Sequence, residues 1–221
     1  MGKIIFDEKA KGQLLLVQMH SGISSWIEML RQYAEEMEYC LTKKIKQYEK
    51  SISSEDDLIE KQQLETFLEL YRSSLFITCY TFFEFELSII CSTLYNHYKL
   101  KTKLDKFKKG KKWVSVSFIE AMVNYLKDIC KLNLPPNSEY VQRIYIYNKL
   151  RNNIAHNAGR LVQNYDEIKT FIDENDPKIT LNDYGLIIFT RDFVFDAIAT
   201  FNSFFEEFYE AFSSWITSPV K

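Results

Sequence analysis

The sequence predicts an all-α fold, a bundle of long helices with one small β-hairpin before the last helix. Six glycines and four prolines are few for 221 residues, whereas 15% of the residues are aromatic. This balance favours long, bulkily packed helices over a turn-rich β-sandwich. Apolar residues recur at steps of three and four over most of the chain, which is the helical period. Only one stretch, near residue 180, alternates in the manner of strands.

Composition narrows the function classes. A hydrophobic content of 46% supports a real core, and a net charge of −2 gives no global attraction to nucleic acid, so any such attraction must be local. No uninterrupted apolar stretch reaches the length of a membrane span. The cysteines are scattered without a CxxC pair or a histidine at ligand spacing, which predicts reduced core thiols, no metal centre and a reducing compartment. We therefore expect a soluble, cytoplasmic protein. The cysteines are Cys40, Cys79, Cys91 and Cys130.

The first two predicted helices are long. Residues 10–50 carry apolar side chains at helical spacing and predict one continuous helix. A second helix is expected over residues 55–97, with Ser53 or Ser54 as its N-cap and acidic residues in its first turn. The two helices can form an antiparallel pair. The apolar positions of the first helix are Leu14, Val17, Ile23, Ile27, Leu30, Ala34, Met37, Leu41 and Ile45.

The second helix loses its charges along its length. Its later half, SSLFITCYTFFEFELSIICSTLY, is apolar on nearly every side and should lie at the centre of the bundle. Glu84 and Glu86 are the exceptions, and burying a lone carboxylate is expensive. We expect one of them to be solvated and Glu84 to face a polar cleft, with Arg151 as its candidate partner.

A lysine-rich segment follows, from Lys99 to Lys112, with eight lysines and one acid. Two interpretations of this segment are equally favoured. In the first it is a solvated connection between helices. In the second it is a strip that attracts phosphates, with Phe107 and Trp113 stacking on bases. In the second case the RNA-phosphate ligands are Lys106, Lys108, Lys109, Lys111 and Lys112.

The next helices are bounded by turn residues. A third amphipathic helix is expected from Val114 to Lys131, because Pro135 and Pro136 follow. The fourth runs over residues 139–157, with Asn137 or Ser138 as its N-cap. Gly159 is placed to close it with a left-handed C-cap.

The last part of the chain predicts a helix over residues 165–174, a hairpin and a final helix. The hairpin is expected around Asn182-Asp183-Tyr184-Gly185, between β-branched runs. The final helix, from Arg191 to Trp215, carries aromatic residues at steps of four and three. Such a stripe is typical of a packing seam; the alternative is a dimer seam. The stripe consists of Phe201, Phe205, Phe208, Phe212 and Trp215.

The stretch YIYNKLRNNIAHNAGR, residues 145–160, carries the candidate chemistry. On a helix, Arg151 and His156 lie about 140° apart and flank a polar face, while Asn152 and His156 are neighbours at i and i+4. Such a face set against a second chain would collect two Arg/His sets in one cleft. The expected core stripe is Ile146, Tyr147, Leu150 and Ile154, and the polar face also holds Asn148 and Ala155.

The motif resembles the signature of HEPN domains: Arg151 is followed directly by the polar Asn152, and four positions separate Arg151 from His156. The context is similar too: an apolar segment with an embedded acid, the LNLPPN turn before the motif helix, and a hairpin before a final aromatic helix. The resemblance covers about residues 55–215. It suggests a HEPN-like helical domain over residues 55–221, with residues 1–54 as an N-terminal helical extension packed on the bundle.

The resemblance implies a metal-independent endoribonuclease that acts as a homodimer and leaves 2′,3′-cyclic phosphate and 5′-hydroxyl ends. Arg151, Asn152 and His156 are then the catalytic residues, and Glu84 and Asn148 are candidates for supporting roles. The implied partners are RNA, a second copy of the chain, and an inhibitory antitoxin or other defence-system protein. No cofactor, metal or membrane is implied. The alternative is a HEPN-type dimerisation or adaptor module without catalysis.

Each motif residue also has an ordinary structural role. Arg151 can form an ion pair, His156 can cap the end of a helix, and Asn152 and Asn153 can be surface amides. Their joint occurrence favours catalysis. His20 and His97 lack matching partners and are expected to be structural. No glycine-rich phosphate loop or GxSxG turn occurs in the sequence.

Overall fold

The computed structural model describes residues 8–51, 54–110, 116–135, 138–175 and 177–217, and it confirms an all-α fold with one small hairpin. The motif lies on α5, and the hairpin precedes the last helix. The helices are α1 Glu8–Ser51, α2 Glu55–His97, α3 Leu104–Lys108, α4 Phe118–Asp128, α5 Glu139–His156, α6 Tyr165–Glu174 and α7 Arg191–Thr217. The strands are β1 Ile179–Leu181 and β2 Ile187–Phe189.

The chain forms two compact units. The first unit combines the part of α1 up to Trp26 with residues Phe82–Tyr145 and with α7 from Phe201 onward. The second unit combines Ile27–Thr81 with Ile146–Thr200. Both α1 and α2 contribute to each unit. The division of the chain at residue 54 stays a prediction.

In the second unit, the α1 and α2 segments run antiparallel, as the sequence predicts. Contacts join Tyr33 to Tyr71, Glu38 to Arg72 and Glu49 to Lys61. From the Glu38–Arg72 pair to the Glu49–Lys61 pair, the residue number rises on α1 as it falls on α2. The Glu38 carboxylate is nearly buried and receives two hydrogen bonds from Arg72, from Nε at 2.7 Å and from Nη2 at 2.9 Å.

The start of α2 is capped reciprocally. The Ser54 hydroxyl accepts a hydrogen bond from the backbone N–H of Asp57 (3.2 Å), and the Asp57 carboxylate accepts one from the backbone N–H of Ser54 (3.0 Å). This arrangement satisfies two N–H groups that a helix start leaves unpaired. Of the two predicted caps, Ser54 is confirmed and Ser53 lies outside the described residues.

Each unit has an aromatic core. In the first unit, Phe83 packs against Phe201, Phe204 and Phe205, with ring centroids 4.8–5.2 Å apart. The predicted stripe on α7 is therefore core from Phe201 to Phe212, and Trp215 is half-buried. In the second unit the core rings are Phe76, Tyr147, Phe189 and Phe193.

Two predicted core faces differ from the structure. On α1, Leu14 and Val17 are 52% and 63% exposed, although Ile23, Ile27 and Ala34 are buried. On α5 the buried residues recur every third position, which shifts the buried face around the helix because an α-helix has 3.6 residues per turn. Of the predicted α5 stripe, Tyr147 and Leu150 are buried, and Ile146 and Ile154 are only half-buried. The buried positions of α5 are Val141, Ile144, Tyr147, Leu150 and Asn153.

Helix α4 begins later than predicted. It starts at Phe118, where the hydroxyl of Ser117 accepts the backbone N–H of Glu120 and so caps the helix. Val114 lies outside the described residues. Ser138 precedes α5 at its N-cap position, but its hydroxyl donates to Glu207 (2.7 Å). Asn137 also lies outside the described residues.

Helix α2 is long and apolar enough to cross a membrane, judged by length and composition alone. No other helix within the described ranges meets that test. This corrects the expectation that no segment of the chain would. The core helix of a soluble protein passes the same test, and 44% of the apolar window of α2 is buried within the protein.

The lysine-rich segment contains the short helix α3. Phe107 is buried against Tyr125, so the predicted stacking of Phe107 on bases is wrong. Lys106 and Lys109 are exposed, and Lys108 donates from Nζ to the carbonyl oxygen of Val116. The other three residues predicted for this strip, Lys111, Lys112 and Trp113, lie outside the described residues.

The hairpin forms where predicted. Strands β1 and β2 pair antiparallel, with Ile179 opposite Phe189. Asn182 closes the turn: its side-chain oxygen accepts the N–H groups of Tyr184 and Leu186, each at 3.0 Å. Gly185 takes a left-handed conformation, with φ +72°, which glycine adopts without steric cost.

Candidate active site

The three motif residues lie in the second unit, at the C-terminal end of α5. Arg151 and Asn152 are half-buried and His156, the last residue of the helix, is exposed. The exposure follows from the sequence, because the polar residues after Leu150 interrupt the apolar positions of the helix. The structure thus places a cation, an amide and an imidazole within two turns of one helix.

Two neighbours hold the Arg151 guanidinium in place. Its Nη1 donates to the side-chain oxygen of Asn152 at 3.0 Å, and its Cζ lies 5.9 Å from the centre of the Tyr80 ring. Its Nε is buried without a hydrogen-bond partner among the described residues. A buried donor without an acceptor is costly, so the group retains capacity for an anion that could reach it.

Tyr80 connects Arg151 to a predicted supporting residue. Tyr80 is fully buried, and its hydroxyl donates to the side-chain oxygen of Asn148 at 2.9 Å. Asn148 lies one helical turn before Arg151 on α5, so the tyrosine ring and the amide together support the guanidinium. Tyr80 is not among the site residues predicted from the sequence. The available signal was a tyrosine within an apolar run, because a buried hydroxyl needs a partner.

His156 is the least constrained of the three residues. Across the part of the chain that the structure describes, no hydrogen bond, ion pair or ring contact involves its imidazole. It is therefore not held as a helix-capping group in this structure. Asn152 bonds to Arg151 instead of His156, and its predicted role toward the histidine stays a prediction.

Asn153 fixes the end of the helix and is fully buried. Its side-chain nitrogen donates to the carbonyl oxygens of Lys149 and Gln163, both at 3.0 Å. Its side-chain oxygen accepts the backbone N–H groups of Val162 and Gln163, both at 2.9 Å. Asn153 is thus a core residue that binds the chain after α5 back to the helix, not a surface amide.

The helix ends in two consecutive left-handed residues. Ala158 has φ +52° and Gly159 has φ +81°. The N–H of Gly159 bonds to the carbonyl oxygen of Asn153, six residues back, at 3.3 Å. This bond reaches one residue further back than the corresponding bond of a Schellman cap, which joins residues five positions apart. The predicted left-handed ending at Gly159 is confirmed, and the left-handed stretch begins one residue earlier, at Ala158.

The hairpin supports this ending from outside the helix. The carbonyl oxygen of Gly159 accepts the N–H of Ile187, and the N–H of Leu161 donates to Gly185, both at 3.0 Å. Arg160 pairs with Leu186 in an isolated antiparallel bridge. The exposed His156 therefore stands on a helix end that Asn153 and the hairpin both fix.

Glu84 and Glu86, in the apolar half of α2, are both half-buried. Glu86 differs from the expectation that one of the two is solvated. Its partial burial raises the pKa of its carboxyl above the ordinary value. The pairing of Glu84 with Arg151 stays a prediction.

Among the residues that the structure describes, neither thiols nor metal ligands form a second candidate centre. Cys79, Cys91 and Cys130 are buried and Cys40 is exposed, and all four are free thiols. Burial raises the pKa of Cys79 and of Cys130 to about 12, which keeps these two thiols protonated and poorly nucleophilic. The prediction of core thiols thus fails only for Cys40. Within the described ranges, no group of three or more histidine, cysteine and acidic residues is placed to hold a metal ion.

Comparison of the chain with protein-family models, with curated proteins and with solved structures found no match.

Proposed function

We propose that the protein is a metal-independent endoribonuclease of the HEPN type that acts as a homodimer. The observation that carries the proposal is the end of α5. There Arg151 is held by Asn152 and Tyr80, while His156 is exposed and, among the described residues, forms no hydrogen bond, ion pair or ring contact. An exposed histidine on the same helix as an immobilised cation suits proton transfer at a phosphodiester.

RNA supplies its own nucleophile, the ribose 2′-hydroxyl. In the proposed reaction a histidine takes the 2′-hydroxyl proton, the 2′-oxygen bonds to the adjacent phosphorus, and the bond from phosphorus to the 5′-oxygen breaks. A second histidine gives a proton to that departing oxygen. The products are a 2′,3′-cyclic phosphate and a 5′-hydroxyl, and no external co-reactant is consumed.

The roles of the chain's own residues follow from this chemistry. Arg151 binds the phosphate and stabilises the charge that grows on it in the transition state. Asn152 holds the guanidinium in orientation, and Asn148 and Tyr80 support it from below. One chain supplies one suitably placed histidine, so a second copy of His156 completes the acid/base pair in a symmetric dimer.

A ribonuclease of this kind must be restrained in the cell that makes it. We therefore place the protein in the cytoplasm as a toxin or antiviral defence effector, with an inhibitory antitoxin or other defence-system protein as its partner. No cofactor enters the mechanism. Lys106 and Lys109, which are exposed, remain candidates for binding the RNA phosphates electrostatically.

The second candidate function is a dimerisation or adaptor module without catalysis. It is consistent with the extensive hydrogen bonding of Asn153, which shows that part of the motif helix has a purely structural task. It gives no role to an exposed His156 on the same helix as an immobilised Arg151. The nuclease is therefore preferred.

The proposal is tested by incubating single-stranded RNA with the purified protein in EDTA and analysing the product ends. We expect cleavage with 2′,3′-cyclic phosphate and 5′-hydroxyl ends. His156→Ala and Arg151→Ala should each lower the rate at least about 100-fold, a typical loss for an acid/base or charge-stabilising group. His20→Ala is the matched control, since this exposed histidine lies outside the motif and contacts Tyr209 and Glu206 on α7. The control should cleave like the wild type.

Expression in bacteria gives an independent readout. The wild-type protein should arrest growth, and His156→Ala should restore it at equal protein level. Equal growth with both forms, together with intact RNA in vitro with and without EDTA, would favour the adaptor. Cleavage that survives His156→Ala in a folded protein would refute the assignment of the site.

A further inference from the structure

A basic groove lies along α1 in the second unit, apart from the motif and from the lysine-rich segment. It is an open cavity of about 610 Å³. Lys43, Lys46 and Lys50 line it from α1, and Arg191 lines it from the start of α7. Four cations thus converge on one groove, in a chain whose net charge is −2. We call it the α1 groove.

The three lysines form a regular row. Their spacing of three and four residues places them on one face of the helix, about 4.5 Å and 6 Å apart along its axis. All three are exposed, and among the described residues none forms an ion pair. Their charges are therefore available to a ligand.

The carboxylates that also line the groove are already paired. Glu38 receives both of its hydrogen bonds from Arg72, and Glu35 accepts one from Arg31 at 3.1 Å. Because arginines occupy these two carboxylates, they cancel little of the lysine charge. The groove as a whole keeps an excess of positive charge.

An aromatic ring lies among the cations. Tyr39 lines the groove and is 64% exposed, with the Lys43 ammonium 5.5 Å from the centre of its ring. A row of cations that follows a backbone, combined with an exposed ring on which a base can stack, is the usual composition of a site for single-stranded nucleic acid. The cavity is open to solvent, so a nucleic-acid strand can reach the lysines and the ring from outside.

We infer that the α1 groove binds the phosphodiester backbone of single-stranded RNA, with Tyr39 stacking on a base. The choice of RNA rests on the proposed function, whereas the choice of a polyphosphate chain rests on the cation row itself. Flexible lysines give affinity without base readout, so the binding should be insensitive to sequence. The first helix was expected only to extend the bundle. With this groove, it also binds the substrate.

The test measures binding apart from cleavage. The His156→Ala protein is titrated with a labelled single-stranded oligouridine of about 12 nucleotides, at several salt concentrations. Lys46→Glu in that background should weaken binding and lower the slope of log affinity against log salt by about 0.7. The triple variant K43E/K46E/K50E should lower the slope by about 2 and the affinity at least about tenfold.

The matched control is Lys44→Glu in the same background. Lys44 is exposed on α1 but does not line the groove, and its reversal changes the net charge by the same amount. We expect it to change the affinity by less than about twofold. Equal effects of Lys44→Glu and Lys46→Glu would overturn the inference, because the interaction would then be with net charge alone. Competition by polyaspartate as strong as by RNA would overturn the choice of ligand.

The outcomes separate this inference from the nuclease. If the wild type leaves RNA intact but Lys46→Glu weakens RNA binding more than Lys44→Glu does, RNA binding by the α1 groove is supported and the nuclease proposal is refuted. If the wild type cleaves RNA but the triple variant binds RNA as tightly as its parent, the nuclease proposal is supported and binding by the groove is refuted. Thermal unfolding of each variant confirms that these exposed substitutions leave the fold intact.

Discussion

Asn153 uses every hydrogen-bonding group of its side-chain amide inside the protein. The nitrogen donates two hydrogen bonds to carbonyl oxygens, and the oxygen accepts two backbone N–H groups as well as the side-chain nitrogen of Asn157. A fully satisfied polar group in a buried position specifies one backbone arrangement. Here that arrangement is the return of the chain after α5.

We expect Asn153→Ala to destabilise the protein by about 2–4 kcal/mol, because the backbone N–H groups of Val162 and Gln163 and the carbonyl oxygen of Gln163 lose their hydrogen bonds to the side chain. Asn152→Ala, next to it, is the control. Asn152 is half-buried and accepts one hydrogen bond from Arg151, so its loss should cost less than about 1 kcal/mol. Urea unfolding measures both. Equal costs would mean that Asn153 does not support the helix end.

For single residues, the sequence predicted which side chains carry reactive groups better than it predicted which side chains are buried. The motif residues were recognisable, but the burial of Asn153 was not, because an asparagine next to another asparagine reads as surface. The position did carry a signal, since it follows Tyr147 and Leu150 at the same three-residue step. Phe107 was also predicted to be accessible, because lysines surround it in the sequence. Its packing against Tyr125 shows that it belongs to the core.

At the end of α5, a residue other than glycine adopts an unfavourable backbone conformation. Ala158 is left-handed, with φ +52°, a conformation that costs an L-residue roughly 1 kcal/mol. The hydrogen bonds of the cap and of the hairpin offset this cost. The helix end is thus held by its neighbours against its own local preference.

Ala158→Gly should therefore stabilise the protein by about 0.5–1 kcal/mol, since glycine adopts the left-handed conformation freely. The same substitution at Ala155, which is exposed within the helix, should destabilise it by about 1 kcal/mol through the lower helix propensity of glycine. Chemical unfolding of the two variants should thus show opposite signs. Destabilisation by both would mean that Ala158 is not strained.

Element positions followed closely from local signals. Helices α2 and α6 run over Glu55–His97 and Tyr165–Glu174, as predicted, because acidic first turns mark both starts and the Ser54 cap marks that of α2. The face that each helix buries was harder to predict. On α5, large apolar residues surround most of the helix, so periodicity alone could not select the buried side. Leu14 and Val17 continue the apolar period of α1 where little covers it.

The proposed site makes sense only for two copies of the chain. Each protomer offers one exposed His156, whereas cleavage with an acid and a base needs two histidines. The nuclease proposal therefore carries a stoichiometric consequence that a one-protomer enzyme lacks.

Mixing wild type with His156→Ala at constant total protein measures that consequence. After subunit exchange, equal amounts should retain about one quarter of the wild-type rate, because only dimers with two intact histidines cleave. Protomers that act independently would retain half. His20→Ala in place of His156→Ala should leave the rate unchanged. A result of one half would exclude the shared site.

The turn at Asn182–Gly185 does more than reverse the chain. Gly185 accepts the N–H of Leu161, so the loop that closes the hairpin also fastens the backbone just after His156. A random mutagenesis screen for impaired variants should consequently recover changes at Asn182 and Gly185, far along the chain from the motif and without any chemistry of their own.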